Sequence, residues 1–333
     1  MPSFEDLLAC PRCGGALGAS GGTCGPSNAT PPARLRCGAC GEQYSAPGGI
    51  PDLRIPSDAR TEKVRAFYAR APFPGYPPRD SLAALRARAS RSEFARRLDE
   101  SIPGDAVVLE LGCGTGQLSL FLAGADRTVV GADLARPSLE LAREAGKRYG
   151  LNDVHFVETD LRAPGLARGA FDVVICSGVL HHTPDPRASF ASVARLVRPG
   201  GVLVVGLYNA YARLPLRLRR TVARLTGYRW IPWDPVLRDR LAEPARREAW
   251  LRDQYRHVEE HRHTLREVQA WFHDNGLEYL RAFPSALLAG ESDELFAQSE
   301  DDWAIEGVLA QLSWMRALGG EGGVFAAVGC RPT

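Results

Sequence analysis

The sequence has no apolar run long enough to cross a membrane. Its longest apolar stretches, such as VVIC and VLVVG, have the length of strands, whereas a membrane-spanning helix needs about 20 consecutive apolar residues. The N-terminal stretch MPSFEDLLACPRC has neither a basic segment nor a long apolar one, so it is not typical of a secretory signal. We therefore expect a cytoplasmic protein with no membrane span.

An excess of charge of either sign is also missing. The 41 Lys and Arg residues stand against 39 Asp and Glu residues, which gives a formal net charge of +2. A near-neutral chain produces no global field that would attract a nucleic acid. Hydrophobic residues make up 45% of the 333 positions and charged residues 24%, as in an ordinary globular protein with room for a large core and a small accessory module.

Cysteine is scarce beyond the N-terminal segment, which holds five of the eight cysteines. There, CPRC at 10–13 and CGAC at 37–40 put four thiols on two tight turns, the arrangement that tetrahedral zinc requires. We predict a zinc ribbon over residues 1–56, with Zn²⁺ held by Cys10, Cys13, Cys37 and Cys40. The ion would be structural because so small a module has little core, and a recognition role is the alternative. Cys24 lies in a loop rich in Gly, Ser and Pro and could substitute for a ligand.

From residue 106 onward, short apolar runs alternate with helical segments. The runs are AVVLELGC, TVVGAD, VHFVETD, FDVVICSGV and GGVLVVGLYN. This alternation predicts an α/β fold with a doubly wound, mostly parallel sheet, in which ligands bind at the carboxyl ends of the strands. The second domain would cover residues 60–333, with a helical lid over 60–104 and a helical insert over about 210–263. Helix starts are predicted at Asp185-Pro186 and at a capping box of Thr264 and Glu267.

The stretch ELGCGTGQLS directly follows the first of these strands. Glycines at 112, 114 and 116 let the backbone approach a ligand closely and leave helix amides free. The spacing G-x-G-x-G departs from the dinucleotide fingerprint, because Gln117 stands where that motif has its last glycine. Three acids accompany the motif. Asp133 and Asp160 end the next two strands and suit a ribose diol and an adenine amine, and Glu110 lies inside a strand, where a buried acid needs a reason.

Together with LVRPGGVLVV at 196–205, these motifs resemble the class I S-adenosylmethionine-dependent methyltransferases of the ubiquinone-biosynthesis-like type, over roughly residues 60–333. The ribbon resembles the small zinc-ribbon activator protein of tRNA and rRNA methyltransferases. The resemblance implies a Rossmann-like fold and S-adenosyl-L-methionine as cofactor. It implies that Glu110 and the three glycines line the methionine end of the cofactor. The implied cofactor-binding residues are Tyr68, Glu110, Gly112, Gly114, Gly116, Asp133, Leu134, Asp160, Leu161 and Ser177.

Two adjacent histidines, His181 and His182, end the fourth run in CSGVLHHTPDP. The resemblance implies that this bend faces the transferable methyl group. A neutral histidine there could accept a proton from a hydroxyl or an amine. We predict His182 as the general base and His181 as a packing or substrate-orienting residue. The alternative is that neither is catalytic and that the reaction depends on proximity alone.

The insert carries LPLRLRRTVARL, with apolar residues at 214, 218, 222 and 225 and five arginines in 213–224. We expect this stripe to pack on the core with the arginines solvated; an interfacial or RNA-facing helix is the alternative. His257 and His261 could be metal ligands, although no third ligand is evident beyond His263, or they could be substrate contacts or surface residues. The acidic segment 286–321 is expected to form a pocket wall with the insert, or to pair with it within the chain or across a homodimer.

The favoured function is methyl transfer to a small-molecule substrate with an oxygen or nitrogen nucleophile, because long inserts containing aromatic residues suit an enclosed ligand. An RNA methyltransferase that grips its substrate with the ribbon is one alternative. A cofactor-binding module or an enzyme that does not methylate is another.

Overall fold

A computed structural model describes residues 2–19, 34–56, 58–70, 72, 80–124, 126–232, 234, 237, 251, 255, 260–285, 294–298, 304–317 and 323–333. Within these ranges the strands form two sheets, one of three strands and one of seven. The small antiparallel sheet contains β1 (Leu17–Ala19), β2 (Arg34–Cys37) and β3 (Gln43–Ser45) in that order. Its buried side chains Leu35 and Tyr44 belong to the same apolar core as residues of the large sheet.

The large sheet has the spatial order β6-β5-β4-β7-β8-β10-β9. Its strands are β4 (Val107–Leu111), β5 (Thr128–Asp133), β6 (Val154–Glu158), β7 (Phe171–Ser177), β8 (Val197–Tyr208), β9 (Glu278–Phe283) and β10 (Val324–Cys330). The first five are parallel, and β10 is antiparallel to both of its neighbours. The doubly wound, mostly parallel sheet is confirmed; β9 and β10 are strands that the sequence pattern did not predict.

Helices cover both faces of this sheet. They are α1 (Ala59–Arg70), α2 (Leu82–Ala89), α3 (Glu93–Ser101), α4 (Gln117–Leu122), α5 (Arg136–Arg148), α6 (Pro186–Ala194), α7 (Leu214–Leu225), α8 (Leu265–Asp274) and α9 (Ala304–Ala317). Successive residues of a strand point to opposite faces, so Leu109 packs with α6 and α8, and Val108 packs with α3 and α4. None of the described helices is both long and apolar enough to cross a membrane.

The predicted helix starts are confirmed, with one difference in the capping box. Asp185 caps α6 by accepting from the Ala188 amide at 2.9 Å, and Thr264 caps α8 by accepting from the Glu267 amide at 3.3 Å. The carboxylate of Glu267 instead contacts Nδ1 of His263 at 2.9 Å. The Thr264 cap therefore sets the start of α8. The reciprocal contact expected of Glu267 in a capping box is replaced by its contact with the His263 ring.

Two predicted strand ends differ by two residues from the observed ones. Strand β6 ends at Glu158, two residues before Asp160. Strand β7 ends at Ser177, and Gly178 follows with a φ of 79°, in the left-handed region that ends an extended strand. The polar residues predicted at these ends therefore lie in the turns beyond the sheet.

The prediction for α7 was wrong in its orientation. Leu214, Leu218 and Leu225, which were expected to face the core, are exposed. Arg213 is buried instead, and Arg213 and Arg220 hold the carboxylate of Glu260 at 2.8 and 2.6 Å. An ion pair across 47 positions of sequence therefore decides which side of the helix faces inward.

The N-terminal segment lies along the free edge of β6. The Leu53 amide donates to the Glu158 carbonyl at 2.9 Å, and the Glu158 amide donates to the Pro51 carbonyl at 2.9 Å. A second contact joins the Ala9 amide to the Gly165 carbonyl at 2.9 Å. The edge of the large sheet is thus covered by chain that leads out of the cysteine-containing segment, a common way of protecting an edge strand.

Candidate functional site

The glycine loop between β4 and α4 is held against two neighbouring strand ends. The Gly112 amide donates to the Ala132 carbonyl at 2.7 Å, which ties the loop to β5. A Cβ atom on Gly112 would lie 2.0 Å from Cγ2 of Val179, in the turn after β7, and Gly112 has a φ of 73°. Only glycine fits here, because both the backbone angle and the close approach exclude a side chain. The carboxyl ends of β4, β5 and β7 therefore meet at this loop.

Asp133, at the end of β5, fixes the loop through its carboxylate. One oxygen accepts from the Gly114 amide at 2.8 Å and the other from the Ala135 amide at 2.8 Å. Burial raises the pKa of Asp133 above its ordinary value, and these amide hydrogen bonds work in the opposite direction. Each carboxylate oxygen keeps a further lone pair that could accept from a ligand hydroxyl.

Glu110 is the buried acid that the sequence singled out. Its side chain lies inside β4, where the Ser119 hydroxyl of α4 donates to its Oε2 atom. Desolvation raises the pKa of Glu110 to about 7, so the carboxyl group is poised between its two protonation states near neutral pH. A cationic ligand group at this position would favour the charged form.

Asp160 is engaged by a partner that sequence analysis missed. The Arg162 guanidinium contacts the Asp160 carboxylate at 2.6 Å and reaches Asp58 at 2.6 Å and Thr61 at 2.7 Å, just before and within α1. This network ties the turn after β6 to the first helix. No motif signals it, because Arg162 and Asp58 are 104 positions apart.

The remaining predicted cofactor residues are placed as follows. Leu134 and Leu161 are half-buried beyond β5 and β6, and Ser177 is exposed at the end of β7. Tyr68 lies within α1, but its side chain lies outside the described residues. Gly116 adopts a φ of 72°, and a Cβ there would meet Ala142 at 2.8 Å. The structure thus gathers the glycines, Glu110 and Asp133 around β4 and the carboxyl ends of β4 and β5. The roles of all these residues in cofactor binding stay predictions.

His181 and His182 form a short 3-10 turn beyond β7, and both are buried. The His181 ring stacks on Tyr208 with ring centroids 3.7 Å apart, and its Nδ1 accepts from the Tyr208 amide at 3.3 Å. A neutral imidazole that accepts at Nδ1 carries its proton at Nε2, so His181 in this state has no nitrogen left to take a proton. The His182 ring meets the His181 ring edge-on at 4.3 Å.

A buried polar cluster continues from this turn toward α7. The Arg213 guanidinium lies 3.5 Å from the Tyr208 ring centroid and also holds Glu260. The His261 amide donates to the His181 carbonyl at 2.8 Å, which anchors the end of the insert beside the histidine turn. His257, the second residue of the alternative metal pair, lies outside the described residues. Tyr208, Arg213 and Glu260 were missed because no local spacing marks them.

The four predicted zinc ligands converge in the N-terminal segment. Their sulfur atoms all lie within 4.8 Å of one another, with Cys10 and Cys40 3.7 Å apart and Cys13 and Cys37 3.5 Å apart. Tetrahedral zinc with Zn–S bonds of about 2.3 Å separates its sulfur ligands by roughly 3.8 Å, so this donor set fits the ion. Cys24, the possible substitute ligand, lies outside the described residues.

Comparison with known proteins agrees with this geometry. Residues 109–205 match a methyltransferase domain family. The chain is 28% identical over 255 residues to an uncharacterized protein of Synechococcus, a match that covers 67% of this chain and 60% of the relative. It is 35% identical over 174 residues to a ubiquinone biosynthesis O-methyltransferase of Bordetella pertussis, a match that covers 50% of this chain and 66% of that protein.

The chain therefore spans less than two thirds of the length of these curated relatives. Among solved structures, PKMT2 from Rickettsia typhi in complex with AdoHcy shares the fold with a TM-score of 0.50 and 15% identity, over 77% of this chain and 55% of that one. The sheet order, the glycine loop that contacts two neighbouring strand ends, and the matched residues agree with one another. Residues 109–205 therefore match a methyltransferase domain family, and the sheet around them has the Rossmann-like fold of the class I methyltransferases.

Proposed function

We propose that this protein transfers the methyl group of S-adenosylmethionine to an oxygen or nitrogen atom of a small-molecule substrate. The observation that carries the proposal is the glycine loop, tied to β5 through Asp133 and packed against the turn after β7 through Val179. A ligand at this edge of the sheet could touch the backbone of the loop and the histidine turn together. When bound, the cofactor supplies a methyl group already activated by a sulfonium.

The residues of the chain have separate tasks in this proposal. Asp133 accepts from the ribose hydroxyls, and Glu110 faces the amino end of the cofactor as a carboxylate. His182 takes the proton that leaves the acceptor hydroxyl or amine, because the Nδ1 lone pair of His181 is already used. His181 and Tyr208 fix the position of the turn through their stacked rings. A buried turn also excludes water from the acceptor.

An oxygen nucleophile is favoured over nitrogen within this class. Support comes from the relatives named ubiquinone biosynthesis O-methyltransferases, such as the protein of Thiobacillus denitrificans that is 39% identical over 110 residues. That match covers 46% of the relative, so it bears on the cofactor domain more than on the acceptor pocket. We propose no particular acceptor.

We further propose that Cys10, Cys13, Cys37 and Cys40 bind one structural Zn²⁺. The sulfur geometry supports this, since the spacing of the four thiols matches a tetrahedral site. The site would stabilise the segment that covers the edge of β6, rather than take part in methyl transfer. Metal content of the purified chain, measured by atomic emission, should be one zinc per chain.

Calorimetry with S-adenosylhomocysteine tests the cofactor assignment. The chain should bind one equivalent with micromolar affinity. Asp133→Ala should weaken binding at least tenfold, because it removes the ribose acceptor and loosens the Gly114 amide. Asp153→Ala is the matched control, because Asp153 is an exposed acid between β5 and β6 and should leave affinity unchanged.

Absence of binding by the parent chain would contradict the proposed function outright. Equal losses in both aspartate variants would contradict the role of Asp133 alone. If RNA, rather than small hydroxyl or amine compounds, accepted the labelled methyl group, the substrate class would be wrong and the cofactor assignment would stand.

A further inference from the structure

The outward face of α7 is apolar and uncovered by the described part of the chain. Leu214, Leu218 and Leu225 are 42%, 69% and 82% exposed. They are spaced four and seven residues apart, so they lie along one side of the helix. Trp230, shortly after the helix end, is 58% exposed. Single exposed apolar residues are common on protein surfaces, but an aligned row of leucines marks an interaction surface.

The inner face of α7 explains why this row points outward. Leu216 and Ala223 pack with Tyr255, and Arg213 and Arg220 hold the buried carboxylate of Glu260. Turning the helix to bury the leucines would pull both arginines away and leave a buried charge uncompensated, which is strongly unfavourable. The exposure of the leucines is therefore fixed by the interior.

The charge around the leucine row is of one sign. Positions 210–231 contain six arginines and no acidic residue. Arg217 and Arg224 are exposed. These two arginines are seven residues apart, so both lie on the same side of the leucine row. Neither forms an ion pair with any residue in the described part of the chain. The surface thus offers an apolar stripe beside positive charge.

We propose that α7 docks on an anionic lipid surface, with its leucine row at the boundary between headgroups and acyl chains and Arg217 and Arg224 on lipid phosphates. A helix of this kind, apolar on one side and basic beside it, suits a membrane interface. The helix is about 18 Å long, so it would lie in the plane of the interface. This docking is independent of the proposed function.

Two other occupants suit the surface less well. A nucleic acid would use the arginines, but an aligned row of leucines gives it no stacking or hydrogen-bonding partner. A second copy of the chain would bring arginine-rich faces together, where like charges repel. Charge complementarity therefore favours lipid.

Vesicle flotation with the full chain tests the docking. Vesicles of phosphatidylcholine containing phosphatidylglycerol should bind the parent protein, and vesicles of pure phosphatidylcholine should bind it at least tenfold more weakly. Leu218→Asp, at a position already 69% exposed, should reduce binding at least tenfold without lowering the unfolding temperature. The double variant Arg217→Gln with Arg224→Gln should lose the preference for anionic lipid.

Leu141→Asp is the matched control, because Leu141 is exposed on α5, away from α7, and should leave vesicle binding unchanged. The proposal is overturned if the parent does not float with anionic vesicles, or if Leu218→Asp and Leu141→Asp behave alike. Binding to RNA that depends on the arginines but not on Leu218 would identify a nucleic-acid surface. Concentration-dependent dimers that disappear in Leu218→Asp, without vesicle binding, would identify a second copy as the occupant.

Discussion

Replacing Gly112 by alanine tests the contact between the glycine loop and the turn that follows β7. Two separate costs arise at this position. An alanine at a φ of 73° costs about 1–2 kcal/mol of stability. Its Cβ would lie 2.0 Å from Cγ2 of Val179, and forcing apart packed groups costs about 1–3 kcal/mol more. The expected loss in the free energy of unfolding is therefore about 2–5 kcal/mol.

A second alanine substitution separates these costs. Gly150 has a φ of 70°, and a Cβ added there would have nothing within 4 Å, so Gly150→Ala should show the conformational cost alone. Combining Gly112→Ala with Val179→Ala removes the two methyl groups in the way, and leaves the Cβ of residue 179 at 3.1 Å. The double variant should be more stable than the sum of the single effects predicts, by about 1–3 kcal/mol.

Urea unfolding followed by tryptophan fluorescence measures all four variants against the parent. Additive effects of Gly112→Ala and Val179→Ala, within about 0.5 kcal/mol, would refute the close approach of the loop and the turn. A loss in Gly150→Ala as large as that in Gly112→Ala would show that the backbone angle, and not the packing, excludes a side chain.

Three further predictions concern single groups. Because burial raises the folded-state pKa of Glu110 from 4.5 to about 7, the free energy of unfolding should fall by on the order of 3 kcal/mol as pH rises between these values. Glu110→Gln should flatten this pH dependence. Urea midpoints that change equally with pH in both proteins would contradict the prediction. Cys37→Ser should lower the zinc content and the unfolding temperature, whereas Cys330→Ser, outside the cluster, should change neither. A full zinc content in Cys37→Ser would rule out the four-sulfur site. His182→Ala should lower kcat at least tenfold with little change in cofactor affinity, and unchanged turnover would exclude a general base there.

Local sequence patterns were sufficient for much of this fold. The alternating apolar runs located β4 to β8, because strand length and helix spacing repeat over short distances. The caps of α6 and α8 followed from two or three residues each. Strand β10 gave no comparable signal, since the run GGVFAAVGC is rich in Gly and Ala and follows a long segment without α/β alternation.

The residues of the candidate site also fall into two groups, those that the sequence could single out and those that it could not. Gly112, Asp133 and Glu110 could be singled out because a strand, a turn and a helix bring them together within 24 positions of sequence. The link from Asp160 through Arg162 to Asp58 could not, because Asp58 lies just before α1, 104 positions from Arg162. The occupancy of the Nδ1 lone pair of His181 also depends on a distant residue, because the amide that donates to it belongs to Tyr208.

The sequence by itself determined the succession of strands β4 to β8 along the chain, the glycine loop and the cysteine pairs. Each of these features depends on residues that are close together in the chain. Only the tertiary structure decided the direction of α7. Its leucine row has the spacing of a buried stripe, but burying Glu260 requires Arg213 and Arg220 on the inner side. An unpaired buried carboxylate costs more than three exposed leucines, so the ion pair sets the rotation of the helix.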